Sequence, residues 1–302
     1  MSPSGTTYLG IDIGGTKTCV ATVTADGRVV ESWQSPTPAT QGPDAILARA
    51  ADLVRAACGS RPVERVGVGT AGVVDHVSGR ILSATDALPG WAGTDVVGGL
   101  SALLDDADVA VVNDVHAFAL GEGRAGAARS ARNYLAVTVG TGVGGAVVVD
   151  GRLVHGAHDV AGHLGHMTVP GADGVPCPCG RLGHLEAVAS GPGILQTYRA
   201  LGGVADDARG VARALVTGDR RAADAVRRAG RALGTALGSL VNVLDPEVVV
   251  LGGGAAAIPG LREAAEESLR ETAMPSLATV PLRRAELDAS AAVGAALLGV
   301  PA

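Results

Sequence analysis

Residues 10–30 read G-I-D-I-G-G-T-K-T-C-V-A-T-V-T-A-D-G-R-V-V, and residues 136–154 read A-V-T-V-G-T-G-V-G-G-A-V-V-V-D-G-R-L-V. Both run apolar strand, Gly/Thr turn, strand, D-G-R hairpin, strand. The spacing predicts strands at Tyr8–Ile13, Thr18–Thr24 and from Val29 to Trp33 in the first copy. It predicts Leu135–Val139, Gly144–Val149 and Arg152–Val154 in the second. Recurrence at about 125 residues predicts an internal duplication, so that the chain holds two related α/β halves.

Outward from the first copy, Pro43 opens a helical pattern to Cys58, with apolar Ile46, Leu47, Ala50, Leu53, Val54 and Ala57 at helical spacing. Strands follow at Arg65–Thr70 and Val109–Asn113, with a short helix near Val96–Leu104 between them and a helix from Val115 to Glu122 after. Outward from the second copy, the loop Gly156–Gly183 is too long to be idle in a compact domain. Helices are expected over Leu185–Leu201, Ala205–Val216 and Ala222–Leu244. The strand Glu247–Leu251 ends in Gly252-Gly253-Gly254. A helix Pro259–Glu271, a short strand Thr279–Leu282 and a last helix Ala289–Leu298 close the pattern. The expected division is a smaller N-terminal α/β domain over 1–115 and a larger one over 116–288 that carries the long loop. The helix of 289–302 is expected to pack back on the first domain.

The 302 residues are 47% hydrophobic and 18% charged, enough apolar material for packed cores. Twenty-four basic against thirty acidic side chains give −6, and no Lys/Arg block is present, which argues against nucleic acid as a partner. Two Trp, three Tyr and one Phe leave few stacking platforms for single strands. No apolar stretch reaches the length of a membrane span, and no signal peptide is visible, so no membrane partner and a cytoplasmic location are expected. Four cysteines do not make a disulfide framework.

Three predicted strands end in glycine turns: Gly14-Gly15-Thr16-Lys17, Gly140-Thr141-Gly142 and Gly252-Gly253-Gly254. Glycine lets backbone N–H groups approach an anion, and Thr adds a hydroxyl. Any one such turn also serves a plain hairpin. Three of them in two duplicated halves fit one nucleotide, two turns on the phosphates and one on the nucleoside. The pattern G-x-x-x-x-G-K-[ST] is absent, and Gly140–Gly145 leads into a strand rather than a helix, which disfavours a dinucleotide site. Asp12 sits among apolar strand residues, where a carboxylate is costly unless it is paired or binds a metal such as Mg²⁺. Lys17 is the only lysine among the 24 basic residues. A compact ammonium beside a phosphate would explain it, and so would codon bias.

His166, Cys177, Cys179 and His184 form H-x10-C-x-C-x4-H, a donor set suited to four-coordinate Zn²⁺. An oxidisable Cys pair with surface His is the alternative. Asp114 falls where an apolar strand meets a helix, a place that suits either an N-cap or a functional carboxylate.

Six stretches together resemble the ROK sugar kinases (repressor, open reading frame, kinase). They are D-I-G-G-T-K at Asp12–Lys17, N-D at Asn113–Asp114, V-G-T-G-V-G-G at Val139–Gly145, A-G-H-L-G-H at Ala161–His166, C-P-C-G at Cys177–Gly180 and L-E-A-V-A-S-G at Leu185–Gly191. The resemblance implies an α/β, two-domain actin-like (ribonuclease-H-like) ATPase fold with duplicated βββαβαβα halves, closing over ATP–Mg²⁺ and a sugar. It implies that Asp114 is the catalytic base and that Asn113 binds a sugar hydroxyl. Glu186 and His166 would face the sugar, and Asp86 lies in a loop where the family often places an Asn toward it. The nucleotide would meet Asp12, Gly14, Gly15, Thr16, Lys17, Gly140, Thr141, Gly142, Gly253 and Gly254. The family carries a structural zinc at the Cys/His loop, with Cys as its usual last ligand where this chain has His184. Family precedent favours a homodimer.

The family's sugar loop usually reads A-G-E-x-G-H. His163 replaces that Glu here, as in the bacterial N-acetylmannosamine kinases, and P-T-P-A-T-Q at Pro36–Gln41 also looks like that subgroup. A His N–H could meet the acetamido carbonyl of N-acetyl-D-mannosamine. The implied reaction is phosphorylation of its 6-hydroxyl, with glucose as the runner-up substrate. A ROK-type repressor would need a helix-turn-helix ahead of the first strand, where only about seven residues precede it. A non-catalytic sugar sensor is disfavoured by the presence of both Asp12 and Asp114.

Overall fold

A glycine turn after Ile13 folds the chain into an antiparallel pair, β1 (Thr7–Ile13) with β2 (Lys17–Thr24). The computed structural model describes residues 6–85 and 87–298. After the Asp26-Gly27 turn, with Gly27 at φ 86°, β3 (Val29–Pro36) pairs antiparallel on the far side of β2. Helix α1 (Pro43–Cys58) starts with Pro at its first position, where no N–H is needed, and buries Ile46, Leu47, Ala50, Val54 and Ala57. Strand β4 (Arg65–Thr70) then runs parallel to β1. A small hairpin, β5 (Val73–Val74) with β6 (Ile81–Ser83), follows it. Helix α2 (Val96–Leu103), capped by the Asp95 carboxylate, leads to β7 (Asp108–Asn113), parallel to β4. Helix α3 (Asp114–Ala125) begins on the next residue.

The second half repeats the order. β8 (Tyr134–Val139) and β9 (Val143–Val149) are antiparallel. Asp150 and Gly151, both at positive φ, turn the chain into β10 (Arg152–Leu153). Helices α4 (Leu185–Ala189), α5 (Gly191–Ala200), α6 (Ala208–Val216) and α7 (Arg220–Leu244) come before β11 (Val248–Gly252). Helix α8 (Leu261–Thr272), β12 (Leu282–Arg284) and α9 (Ser290–Leu297) complete it. The first sheet has the order β3-β2-β1-β4-β7 and the second β10-β9-β8-β11-β12. In each, the leading strand is antiparallel to its hairpin partner and parallel to the strand on its other side. One topology twice is the structural form of the duplication.

The sequence reading needs several corrections. The expected helix Leu185–Leu201 is two helices, because the Ser190 hydroxyl accepts from Gly193 N–H and starts a new helix at Gly191. The last strand lies at Leu282–Arg284 rather than Thr279–Leu282, in register with Val249–Leu251. The β5–β6 hairpin was not foreseen.

One compact unit comprises the residues up to Ser130, Leu153–Ala161 and those from Ala285 on; the other comprises Ala131–Arg152 and Gly162–Arg284. Helix α3 therefore belongs to the first unit, because it is locked to α9. A Cβ at Gly294 would come within 1.7 Å of the Ala117 carbonyl, and one at Gly121 within 2.2 Å of the Ser290 carbonyl. Gly10 on β1 and Gly67 on β4 give α9 the same close approach to the sheet. Glu122, fully buried, accepts from Ala127, Glu286 and Leu287 N–H and from the Ser290 hydroxyl. Four donors satisfy a carboxylate that would otherwise be prohibitive to bury.

The first unit's core gathers α1, α2 and one sheet face around Ile11, Ile13, Ile46, Trp91 and Leu100. The second gathers α4–α8 around Leu135, Leu185, Ile194, Leu233, Leu237 and Leu251. Among the described residues, no helix is long and apolar enough to cross a membrane.

Candidate functional site

In the first unit, Asp12 lies at the end of β1 and Asp114 at the start of α3, with β4 between their strands. The Asn113 side chain, not that of Asp114, caps the helix. Its Oδ1 accepts from Val115 N–H at 2.9 Å and His116 N–H at 3.4 Å, and its Nδ2 donates to the Gly72 carbonyl at 2.8 Å. One N–H on Nδ2 is thereby engaged, and the same amide lies against the Asp114 carboxylate as a donor. Asp114 is left as a partly buried carboxylate at a helix N-terminus, with Oδ1 accepting from Val115 N–H at 2.9 Å. Burial raises its pKa, while the Val115 N–H and the Asn113 side chain pull it back.

Asp12 titrates at about 7, foremost through burial, then through the Asp114 charge, with Lys17 acting in the opposite direction. A buried carboxylate whose proton affinity a second carboxylate raises further is a place where a divalent cation relieves both costs. Asp12 therefore fits a Mg²⁺ ligand by its chemistry.

The turn Gly14–Lys17 beside it is held from outside. Gly14 N–H donates to the Lys17 carbonyl at 3.1 Å. The Thr37 hydroxyl donates to the Gly14 carbonyl at 2.7 Å, and Thr37 N–H to the Thr16 carbonyl at 3.1 Å. Gly15 has no room for a side chain, since a Cβ would stand 2.8 Å from the Ala87 carbonyl. Thr16 and Lys17 are exposed. Thr37 was absent from the candidate residues, and its place in P-T-P-A-T-Q is the signal that could have found it. Asp86 lies outside the described residues.

In the second unit, the other two glycine turns meet at the end of β8. Gly140 N–H donates to the Gly142 carbonyl at 2.8 Å, and Gly191 N–H to the Gly140 carbonyl at 2.8 Å. Gly253, at φ 91°, presses on the Val139 backbone, and Ala255 and Ala256 N–H both donate to the Val139 carbonyl. A Cβ at Gly140 or Gly254 would meet nothing within 4 Å. These two glycines therefore face open space, whereas Gly253 is structural. Thr141, between Gly140 and Gly142, is exposed.

Glu186, in the first turn of α4, reaches the same turn. Its Oε2 accepts from Val143 N–H at 2.9 Å and stands 2.6 Å from where a Gly142 Cβ would be. One carboxylate oxygen is thus spent on bracing the turn, which the sequence reading did not foresee. His163 precedes a single 3-10 turn over Leu164–His166, and its ring lies 6.2 Å from that of His166.

His166, Cys177, Cys179 and His184 converge. Each offers a ligand atom, and these lie within 4.8 Å of one another. Cys177 Sγ is 3.8 Å from His166 Nδ1, and Cys179 Sγ is 3.2 Å from His184 Nδ1. Short bridges, Thr168 with His184 and Pro176 with Leu182, fold the loop, and Cys177 N–H donates to the Arg181 carbonyl at 2.8 Å. Burial, with Cys179 and Glu186 beside it, pushes the Cys177 thiol up to about 11. Two thiols and two imidazoles on one small loop are a donor set that could hold Zn²⁺.

The comparisons with known proteins agree on one family and differ in the sugar that the relatives' names give. The ROK family model matches residues 8–300. A glucokinase of Halalkalibacterium halodurans is 33% identical over 270 residues, covering 82% of this chain and 80% of that protein. An N-acetylmannosamine kinase of Escherichia fergusonii is 35% identical over 248 residues, 82% of each. The crystal structure of a ROK family glucokinase from Streptomyces griseus in complex with glucose and AMPPNP superposes with a TM-score of 0.84 at 28% identity, over 97% of this chain and 99% of that one. The two-sheet α/β architecture is that of the actin-like ATPases.

Proposed function

The chain belongs to the ROK family, as a sugar kinase, and we propose that it transfers the terminal phosphoryl group of ATP to the 6-hydroxyl of a hexose, with N-acetyl-D-mannosamine as the favoured substrate. The observation that carries the reaction is Asp114. It is a partly buried carboxylate of raised proton affinity at the first position of a helix, relieved of capping duty by Asn113.

In this reading the hexose 6-hydroxyl donates to Asp114, which takes its proton as the oxygen attacks phosphorus. Asn113 meets a neighbouring sugar hydroxyl and at the same time fixes the helix start that aims Asp114. The backbone of Gly14–Lys17 and the open faces of Gly140 and Gly254 receive the nucleotide, and Lys17 adds a positive charge beside the phosphates. Gly15, Gly142 and Gly253 let those turns pack closely, and with the exposed Thr16 and Thr141 they complete the proposed nucleotide contacts. Mg²⁺ held by Asp12, directly or through water, would neutralise phosphate charge during transfer. Zn²⁺ on His166, Cys177, Cys179 and His184 would order the loop that precedes Glu186 and carries His166.

N-acetyl-D-mannosamine is favoured because His163 stands where the family more often has Glu. A neutral imidazole offers one donor and one acceptor to the sugar edge, and its N–H suits an acetamido carbonyl better than a carboxylate does. Glu186, with one oxygen still available, and His166 complete the proposed sugar contacts. Glucose is the second reading, supported by the glucokinase relatives. ADP release with ATP and Mg²⁺ across N-acetylmannosamine, glucose, mannose, N-acetylglucosamine and no sugar tests both. The highest kcat/KM with N-acetylmannosamine supports the reading of His163. A preference for glucose rejects it and leaves the reaction standing.

A further inference from the structure

Six of the seven histidines fall in two groups: His163, His166 and His184 in the second unit, and His76, His116 and His155 in the first. The second group has no part in the proposed kinase chemistry. His76 lies on the loop after β5, where the Asp75 carboxylate accepts from Val77 and Ser78 N–H and so fixes the turn. His155 follows β10, and its ring stacks on His76 with centroids 4.2 Å apart and 13° between planes. The buried His116 ring, two residues beyond Asp114, meets His155 edge-on at 5.5 Å. The loop closes through Ala161 N–H to the His155 carbonyl at 3.1 Å. Inside it, Asp159 adopts a left-handed backbone at φ 57° and turns its carboxylate onto His76 Nδ1.

We infer that His76, His155 and Asp159 form a second metal site, for a divalent first-row transition ion, that ties the loop at residues 75–79 to the loop at 155–161. One ligand atom from each lies within 4.8 Å of the others. Donors on one tetrahedral ion stand about 3.3 Å apart, a closure within reach of ring rotation at the exposed His76. Two imidazoles and a carboxylate suit Zn²⁺ and its neighbours, with water completing the shell, and do not suit Mg²⁺ or Ca²⁺. The Asp159 side chain is only 14% exposed, so its negative charge is shielded from water, and its carboxylate lies on His76 Nδ1. His116 lies behind His155 as its packing partner, which places the clamp against the first turn of the helix that begins with Asp114.

The test is calorimetric titration of metal-stripped full-length chain with zinc chloride. The prediction is that His155→Ala and Asp159→Asn each take up one equivalent fewer than the unsubstituted chain, or bind that equivalent at least tenfold more weakly, as loss of a ligand should cause. Cys177→Ser removes a different equivalent and leaves this one in place, which separates the inference from the zinc role proposed for the Cys/His loop. Circular dichroism confirms that each variant is folded, and Asp159→Asn keeps the side-chain shape. Equal stoichiometry and affinity in His155→Ala, Asp159→Asn and the unsubstituted chain overturn the site and leave His76 and Asp159 as a hydrogen-bonded pair only.

Discussion

Asp12 and Asp114 interact across Gly69. Gly69 pairs with Asp12 in the β1–β4 register, and a Cβ added to it would stand 3.7 Å from the Asp114 Cα and 2.8 Å from the Ala117 Cβ. The missing side chain on β4 lets α3 start close to the strand that carries Asp12, and the Asp114 charge helps to raise the Asp12 pKa. Gly69→Ala should therefore displace the helix start. The expected result is a fall in kcat of at least tenfold with a smaller change in nucleotide affinity, read by steady-state kinetics and nucleotide titration.

The raised Asp12 pKa has a sign in stability. Between the ordinary value of 3.8 and about 7, the folded chain holds a proton that the unfolded chain has lost. This group's contribution to stability therefore falls as pH rises through that window. Asp12→Asn should be more stable than the unsubstituted chain at pH 8, by about 1–4 kcal/mol, and the gap should close near pH 4. Denaturant melts at the two pH values measure it. Asp114 is also raised, so kcat/KM should climb with pH as that carboxylate loses its proton.

Glu186 braces the turn at Val143, and two substitutions separate that from the sugar contact proposed for it. Glu186→Ala strands the buried Val143 N–H, a loss of about 1–3 kcal/mol, and should also raise the sugar KM. Glu186→Gln keeps an acceptor for Val143 and should restore stability without restoring sugar affinity. Thermal melts and sugar KM values read the two effects independently.

Zinc content should be legible at the Cys/His loop. Cys177→Ser should lose one bound Zn²⁺, and His184→Cys should bind it more tightly by presenting a third thiolate. Chelation should lower the melting temperature and raise the sugar KM more than it lowers kcat, because in the proposed role a metal there would order a loop and not touch the phosphoryl group.

Much of the fold was legible because the duplicated stretch is short-range chemistry. Strand alternation, the D-G turns and the Pro43 helix start are all written in neighbouring residues. The actin-like halves followed from them together with the family resemblance. The partition of the chain was not legible in the same way. It depends on Glu122 collecting donors from residues more than a hundred positions away and on Gly294 meeting Ala117, contacts with no local signature. The His/Cys group could be read because its spacing is compact. His76 with His155 and Asp159 could not, since the partners come from two distant loops. The sequence left the cap open at Asp114, beside an Asn that caps equally well, and only the hydrogen bonds from Val115 and His116 N–H to Asn113 decide it.

The central claim, that Asp114 is the base of a sugar kinase, is tested most directly by kcat of Asp114→Asn with ATP, Mg²⁺ and the preferred sugar, alongside calorimetric sugar binding. The account predicts a fall of about 10²–10⁴-fold in kcat, with the fold intact and sugar affinity within a few-fold of the unsubstituted chain. Turnover within a few-fold of the unsubstituted chain would contradict it.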